Sequence, residues 1–164
     1  MGFIETLFSS LHEADLNRRD SLIEQLRVAQ TTAIIDELQE LLHKGTTSDK
    51  CDASEVLCRV DPQKYLNTVT SLLNDNDADI RWHACGLIYD WGDHSYSDLM
   101  IRILRSDVDP GVRVMAADCL GRFGGGTAVQ GLREASEIDM GIDLLGRSVR
   151  AAAQQAVMVI LKQV

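Results

Sequence analysis

The stretch SDVDPGVRVMAADCLGRFGGG, residues 106–126, decides the fold. Asp109 stands where a helix needs its N-cap, because its carboxylate can accept from the unpaired N–H groups of a first turn. Pro110 follows at the first helical position, where a missing N–H costs nothing. An Ala-rich run comes next, with apolar residues at helical spacing. Gly124–Gly126 predict a left-handed C-cap and a helix stop, since glycine takes positive φ without strain. Arg113 is the cation that opens the run. It belongs either to a site or to a scaffold.

Self-similarity decides for the scaffold. The segment NDNDADIRWHACGLIYDWGD lies 32 residues before SDVDPGVRVMAADCLGRFGG and matches it position by position. Asp75 falls under Asp107, Asp77 under Asp109, Arg81 under Arg113, and Trp91 under Phe123. Arg150, 37 residues on, opens SVRAAAQQAVMVIL with the same apolar slots. Fainter copies begin at Lys50 and Arg19, each 31 residues earlier than the next cation. A cation thus recurs at Arg19, Lys50, Arg81, Arg113 and Arg150, and the last unit carries an insertion of five residues. Counted from the cation, core slots fall at −1, +3, +6, +7 and +10, which places Leu26, Ala29, Trp91, Phe123 and Cys119 inward. A second amphipathic stretch precedes each cation: Phe3–Ala14, Thr31–His43, Pro62–Leu73, Tyr96–Leu104 and Thr127–Ala135. The pattern predicts five helix–turn–helix units over 1–30, 31–61, 62–93, 94–126 and 127–164 in a single domain, 1–164. One unit alone cannot bury its stripe, whereas stacked units share a core.

The motif D-x-D-P-x-V-R-x-x-A-A-x-x-L-G-x-x-G, carried closely by 107–124 and well by 75–92, resembles the HEAT repeat, especially its short bacterial form. The resemblance implies an all-α, right-handed α-α superhelix of about five repeats. It also implies a buttressing ladder in which an Asp six residues before the Arg pairs with it, here Asp75 with Arg81 and Asp107 with Arg113. Six residues before Lys50 stands Lys44, and before Arg150 stands Leu144, so the ladder is expected to break there.

Charge narrows the partners. Acids number 25 against 16 bases, a net charge of −9, which disfavours nucleic acid and anionic membrane and suits a basic protein partner. No run reaches the ~18 apolar residues of a spanning helix. Glu5 interrupts the apolar start and no basic region precedes it, so no export signal is read. Gly2 and Thr6 fit a loose acylation pattern, but Phe3 and Leu7 read better as core residues of an ordinary first helix. Cys51, Cys58, Cys85 and Cys119 form no C-x-x-C pair and are expected as reduced thiols in a cytoplasm.

Chemistry-bearing groupings are sparse. His83, Asp90, Asp93 and His94 are close in sequence but lack the spacing of a metal or acid–base motif, and read as surface polar residues. The glycines 124–126 lack the Lys-Ser/Thr of a phosphate loop. No catalytic signature, cofactor or metal is predicted.

A binding face is more promising. Positions +1, +5 and +8 lie opposite the core, and the resemblance implies that this face of the second helix lines the concave surface where partners bind. At +5 stand Glu24, Glu55, Gly86, Asp118 and Gln155, an acidic row with a glycine gap. Trp82 and Tyr89 flank the gap. Two readings stay open for them: a binding hot spot, or packing against the neighbouring second helix. The insertion SEIDMGIDLLG, 136–146, is either a specificity loop or an extra helical turn over the core. The apolar last helix, AVMVILKQV, predicts end-to-end homodimerisation, or burial by that insertion.

The leading expectation is a non-enzymatic adaptor or an immunity-type inhibitor that holds a basic or helical protein at Trp82, Gly86, Tyr89, Glu55, Asp118 and Gln155. A phycobilin-lyase-like protein binding a linear tetrapyrrole is the alternative. A HEAT-like DNA-repair protein comes third, since Arg27, Arg59 and Arg122 near the rim are outnumbered by acids.

Overall fold

The computed structural model describes residues 2–12, 16–29 and 32–162. Among them run ten α-helices: α1 (Phe3–His12), α2 (Leu16–Ala29), α3 (Thr32–Lys44), α4 (Thr47–Val60), α5 (Pro62–Val69), α6 (Ala78–Trp91), α7 (Ser97–Ser106), α8 (Pro110–Phe123), α9 (Gly125–Ile138) and α10 (Val149–Lys162). Short 3-10 helices at Thr70–Asn74 and His94–Tyr96 precede α6 and α7. No strand forms among the described residues. The expected helix ends Ala14 and Thr31 lie outside them, as does the side chain of Ala29.

The chain divides into two compact units, Met1–Ile80 and Arg81–Val164, with the boundary inside α6. In the first unit α1 pairs with α2 and α3 with α4, α4 packs on α2, and α5 folds back on α4. Leu7, Leu26, Leu38, Leu42, Val56 and Leu57 fill its core. In the second unit α7 pairs with α8 and α9 with α10. First helices also meet first helices (α7 with α9) and second meet second (α8 with α10), so the hairpins form two layers. Met100, Leu104, Leu120 and Leu132 are buried between the layers. Each such side chain contributes roughly 1.5–3 kcal/mol by leaving water.

The phase read from the cation positions Val112, Ala116, Cys119 and Leu120 inward, and all four are fully buried. The +10 slot is different: Trp91 and Phe123 are half-buried at the helix ends rather than in the core. Asp109 caps α8 by accepting from Gly111 N (2.8 Å) and Val112 N (3.1 Å), with Pro110 behind it. The glycine triplet departs from expectation. Gly124 closes α8 in a right-handed conformation and opens α9, and the positive φ falls on Gly125 (61°). A Cβ at Gly124 would meet Leu120 O at 2.6 Å, so its role is close approach.

The ion-pair ladder follows another register than the spacing of six. Arg113 gives Nε to Asp139 Oδ2 (2.7 Å) and Nη2 to Asp139 Oδ1 (2.9 Å). It reaches Asp107 only through the main chain, with Nη1 donating to Asp107 O at 2.8 Å. Arg81 grips Asp107 in the same two-pronged way, at 2.8 Å twice. Lys50 meets Asp75 at 2.6 Å, so the expected break at Lys50 does not occur. The carboxylate therefore belongs to the following repeat, 25 or 26 residues on. Each ladder Asp ends a helix and turns the chain by accepting the N–H two residues ahead: Asp77, Asp109 and Gly141. The five extra residues of the last unit fall between Asp139 and Arg150 and leave that rung intact.

Candidate protein-binding surface

In the second unit α6, α8 and α10 flank a groove of about 490 Å³. Its lining comprises Tyr89 from α6, Met115, Asp118, Gly121 and Arg122 from α8, and Gln155, Ala156 and Val159 from α10. Three residues singled out in the sequence, Tyr89, Asp118 and Gln155, thus meet at one concavity. Tyr89 is 36% exposed, and the Arg122 guanidinium stands 4.8 Å from its ring centroid. Arg122 also donates Nη2 to Asp90 O at 3.3 Å, which anchors the cation over the ring. Such a contact is worth ~0.5–1 kcal/mol at an exposed site.

Trp82 is 41% exposed, and its Cδ1 lies 3.8 Å from where a Gly111 Cβ would stand. It leans on the start of α8 while keeping one side open. Gly86 has nothing within 4 Å of a built Cβ, so the gap in the row is open space. The stripe is not uniformly exposed. On α8 the +1 and +8 positions, Val114 and Gly121, are buried, Gly121 against Ala156 of the next second helix, α10.

The acids of the row carry partners. Glu24 accepts from Arg27 Nη1 (2.7 Å), and Glu55 from Arg59 Nε and Nη2 (2.9 and 2.6 Å), both in the first unit. Asp118 accepts from Arg147 Nη1 at 2.9 Å. Within its own unit each of these acids is ion-paired rather than bare.

Arg147 directly follows the 136–146 segment, whose Ser136–Ile138 continue α9 by an extra turn before the chain leaves the helix. Residues 141–149 close into a small hairpin: Val149 N donates to Gly141 O (3.0 Å) and Asp143 N to Arg147 O (2.9 Å), with Gly146 at φ 80° in the turn. The Asp143 carboxylate accepts from Leu145 N, Arg147 N and Arg147 Nε. Burial disfavours its charge, but these donors outweigh that and hold its pKa below the usual carboxylate range. The hairpin exposes Ile142 and, at its tip, Leu144 and Leu145, Leu144 completely (101%). Asp143 and Arg147 escaped the sequence reading. Their i,i+4 spacing was a signal, yet a turn closed by a side chain has no hydrophobic period to reveal it.

The remaining polar groupings stay apart. Asp93 caps a 3-10 turn by accepting from Ser95 N and Oγ, and His94 is exposed. Among the described residues no three His, Cys, Asp or Glu side chains converge on a metal position. Burial pushes the Cys58 and Cys85 thiols up to about 12, so neither supplies thiolate at neutral pH. No described helix is long and apolar enough to cross a membrane.

The family model for HEAT repeats matches residues 66–158, more than half of the chain. No curated protein matches it.

Proposed function

The chain belongs to the HEAT-repeat family, and on that premise we propose that it is a non-enzymatic scaffold that holds a protein partner on the groove and hairpin of its second unit. HEAT repeats generally mediate protein–protein interaction. One observation carries the choice of surface: the Leu144–Leu145 tip is exposed on a hairpin that is fixed by its own hydrogen bonds and latched to α8 through Arg147–Asp118. Two exposed leucines on a rigid support are costly in water and preorganised for a partner, which lowers the entropy lost on binding. Tyr89 and Trp82 add amphipathic aromatic surface of the kind that dominates interface energies. Because the row acids are already paired, apolar complementarity supplies affinity. The net charge of −9 favours approach of a basic partner and adds salt dependence to its on-rate.

The test compares capture of a partner from the native cell by the wild-type chain, by a Leu144→Ser/Leu145→Ser variant and by Tyr89→Ala, with helical circular dichroism as the folding control. The hairpin variant should lose capture at least ~10-fold, since each buried leucine contributes a kcal/mol or more. Equal capture by all three proteins removes the reading.

A further inference from the structure

We propose that Arg150 and the outer face of α10 form a receptor for an aspartate-bearing helical hairpin of a partner protein. The filled rungs define what is missing. Arg81 and Arg113 each place Nε and Nη2 on one carboxylate. At Arg150 Nη2 instead donates to Glu137 O (2.8 Å) and to the Met140 thioether (3.1 Å), a weak acceptor. Its Nε is buried with no hydrogen-bond partner, and no ion pair to Arg150 forms among the described residues. A buried donor left unsatisfied costs ~1–3 kcal/mol, so the site favours any acceptor that fits. Met140, 74% exposed, is free to swing aside.

The packing beside Arg150 is open in the matching way. Ala151, Gln155 and Met158 stand on α10 where Val114, Asp118 and Gly121 stand on α8. Val114 and Gly121 are covered by the next hairpin, whereas Ala151, Gln155 and Met158 are exposed. Leu161, 54% exposed, extends this face by one turn. The fitting occupant follows from the α8–α10 interface: an Asp that ends one helix, with its carboxylate on Arg150, and a second helix that lies on α10 as α10 lies on α8. This end surface shares Gln155 with the groove, but Leu144 and Leu145 take no part in it, so the hairpin variant leaves it untouched.

The chain's own hairpin is the probe. Residues 94–126, appended after Lys162 in place of the last two residues, set the copy of Asp107 26 residues beyond Arg150, the Arg81–Asp107 separation. The extended protein should melt several degrees above the wild type. Asp→Asn in the appended copy and Arg150→Gln should each abolish that gain, and together remove no more than either alone. A gain that survives both substitutions, or losses that simply add, overturns the proposal. So does an appended hairpin that adds no helical circular dichroism. Sedimentation of the unextended chain tests the remaining occupant: a dimer dissolved by Arg150→Gln would make it a second copy and overturn the assignment to a different protein.

Discussion

Gly121 of α8 lies directly against Ala156 of α10: a Cβ at 121 would stand 3.1 Å from both Cα and Cβ of Ala156. Two second helices approach this closely because neither carries bulk at the crossing. Alanine at 121 gains up to ~1 kcal/mol of helix propensity, which opposes the cost of the tight contact. Valine adds two methyl groups that have no space. Gly121→Val should therefore destabilise the protein by roughly 1–3 kcal/mol, read as a lower urea midpoint with an unchanged slope. A midpoint within error of wild type would mean that α8 and α10 move apart at this crossing without cost.

Gly141 performs a different service for Arg113. A Cβ there would lie 2.5 Å from Arg113 Nη2 and 3.0 Å from both Asp139 Oδ1 and Pro110 Cβ. The guanidinium is the movable atom group, but moving it breaks a bidentate pair. Gly141→Ala should cost about 1–3 kcal/mol. In an Asp139→Asn background, where that pair is already weakened, the cost should shrink, and a double-mutant cycle in urea measures the difference.

Acid should loosen the ladder. The Arg113 hydrogen bonds hold the Asp139 carboxyl below its ordinary value against an opposing effect of burial. At Asp107 burial is the largest single influence and raises the pKa, but Arg81 and the Asp109 N–H together outweigh it and the net shift is downward. A folded-state pKa below the unfolded value near ~3.9 means that the unfolded chain binds protons first. The stabilisation is then complete above that value and is lost as pH falls through the folded pKa. Wild-type urea midpoints should hold from pH 7 to about 5 and drop below ~4. Asp139→Asn should start lower by about 3 kcal/mol and decline less steeply in acid.

The hairpin latch separates order from stability. Arg147 is 42% exposed, and an exposed pair is worth only ~0.2–1 kcal/mol. Arg147→Ala should leave the melting temperature almost unchanged while freeing the hairpin from α8. Asp143→Ala removes the acceptor for Leu145 N and Arg147 N, so amide exchange at those two positions should accelerate. Protection that persists in Asp143→Ala would show that the main-chain bonds hold the turn unaided.

The helix pattern was readable because Asp109, Pro110 and the apolar slots around Arg113 are local signals, and the buried Val112–Ala116–Cys119–Leu120 face follows from them. The ladder was misread for a reason of the same kind. A spacing of six is visible along the chain, whereas the 26-residue reach from Arg113 to Asp139 exists only once the hairpins stack. Trp91 and Phe123 are the last residues of α6 and α8, and both are half-buried there. On the candidate surface, Tyr89, Asp118 and Gln155 were legible as a stripe. Arg147 was not, because its approach to Asp118 depends on a turn set by Asp143.

The forward reach of each rung gives synthesis a clock. Arg113 enters the growing chain 26 residues before the Asp139 that neutralises it, and Lys50 precedes Asp75 by 25. A nascent hairpin therefore lacks the carboxylate that its cation grips until the next turn has been made. Each new repeat locks its predecessor rather than itself, so folding is paced by elongation from the amino end. A pause in translation just before an aspartate would leave the preceding hairpin poised and unlocked.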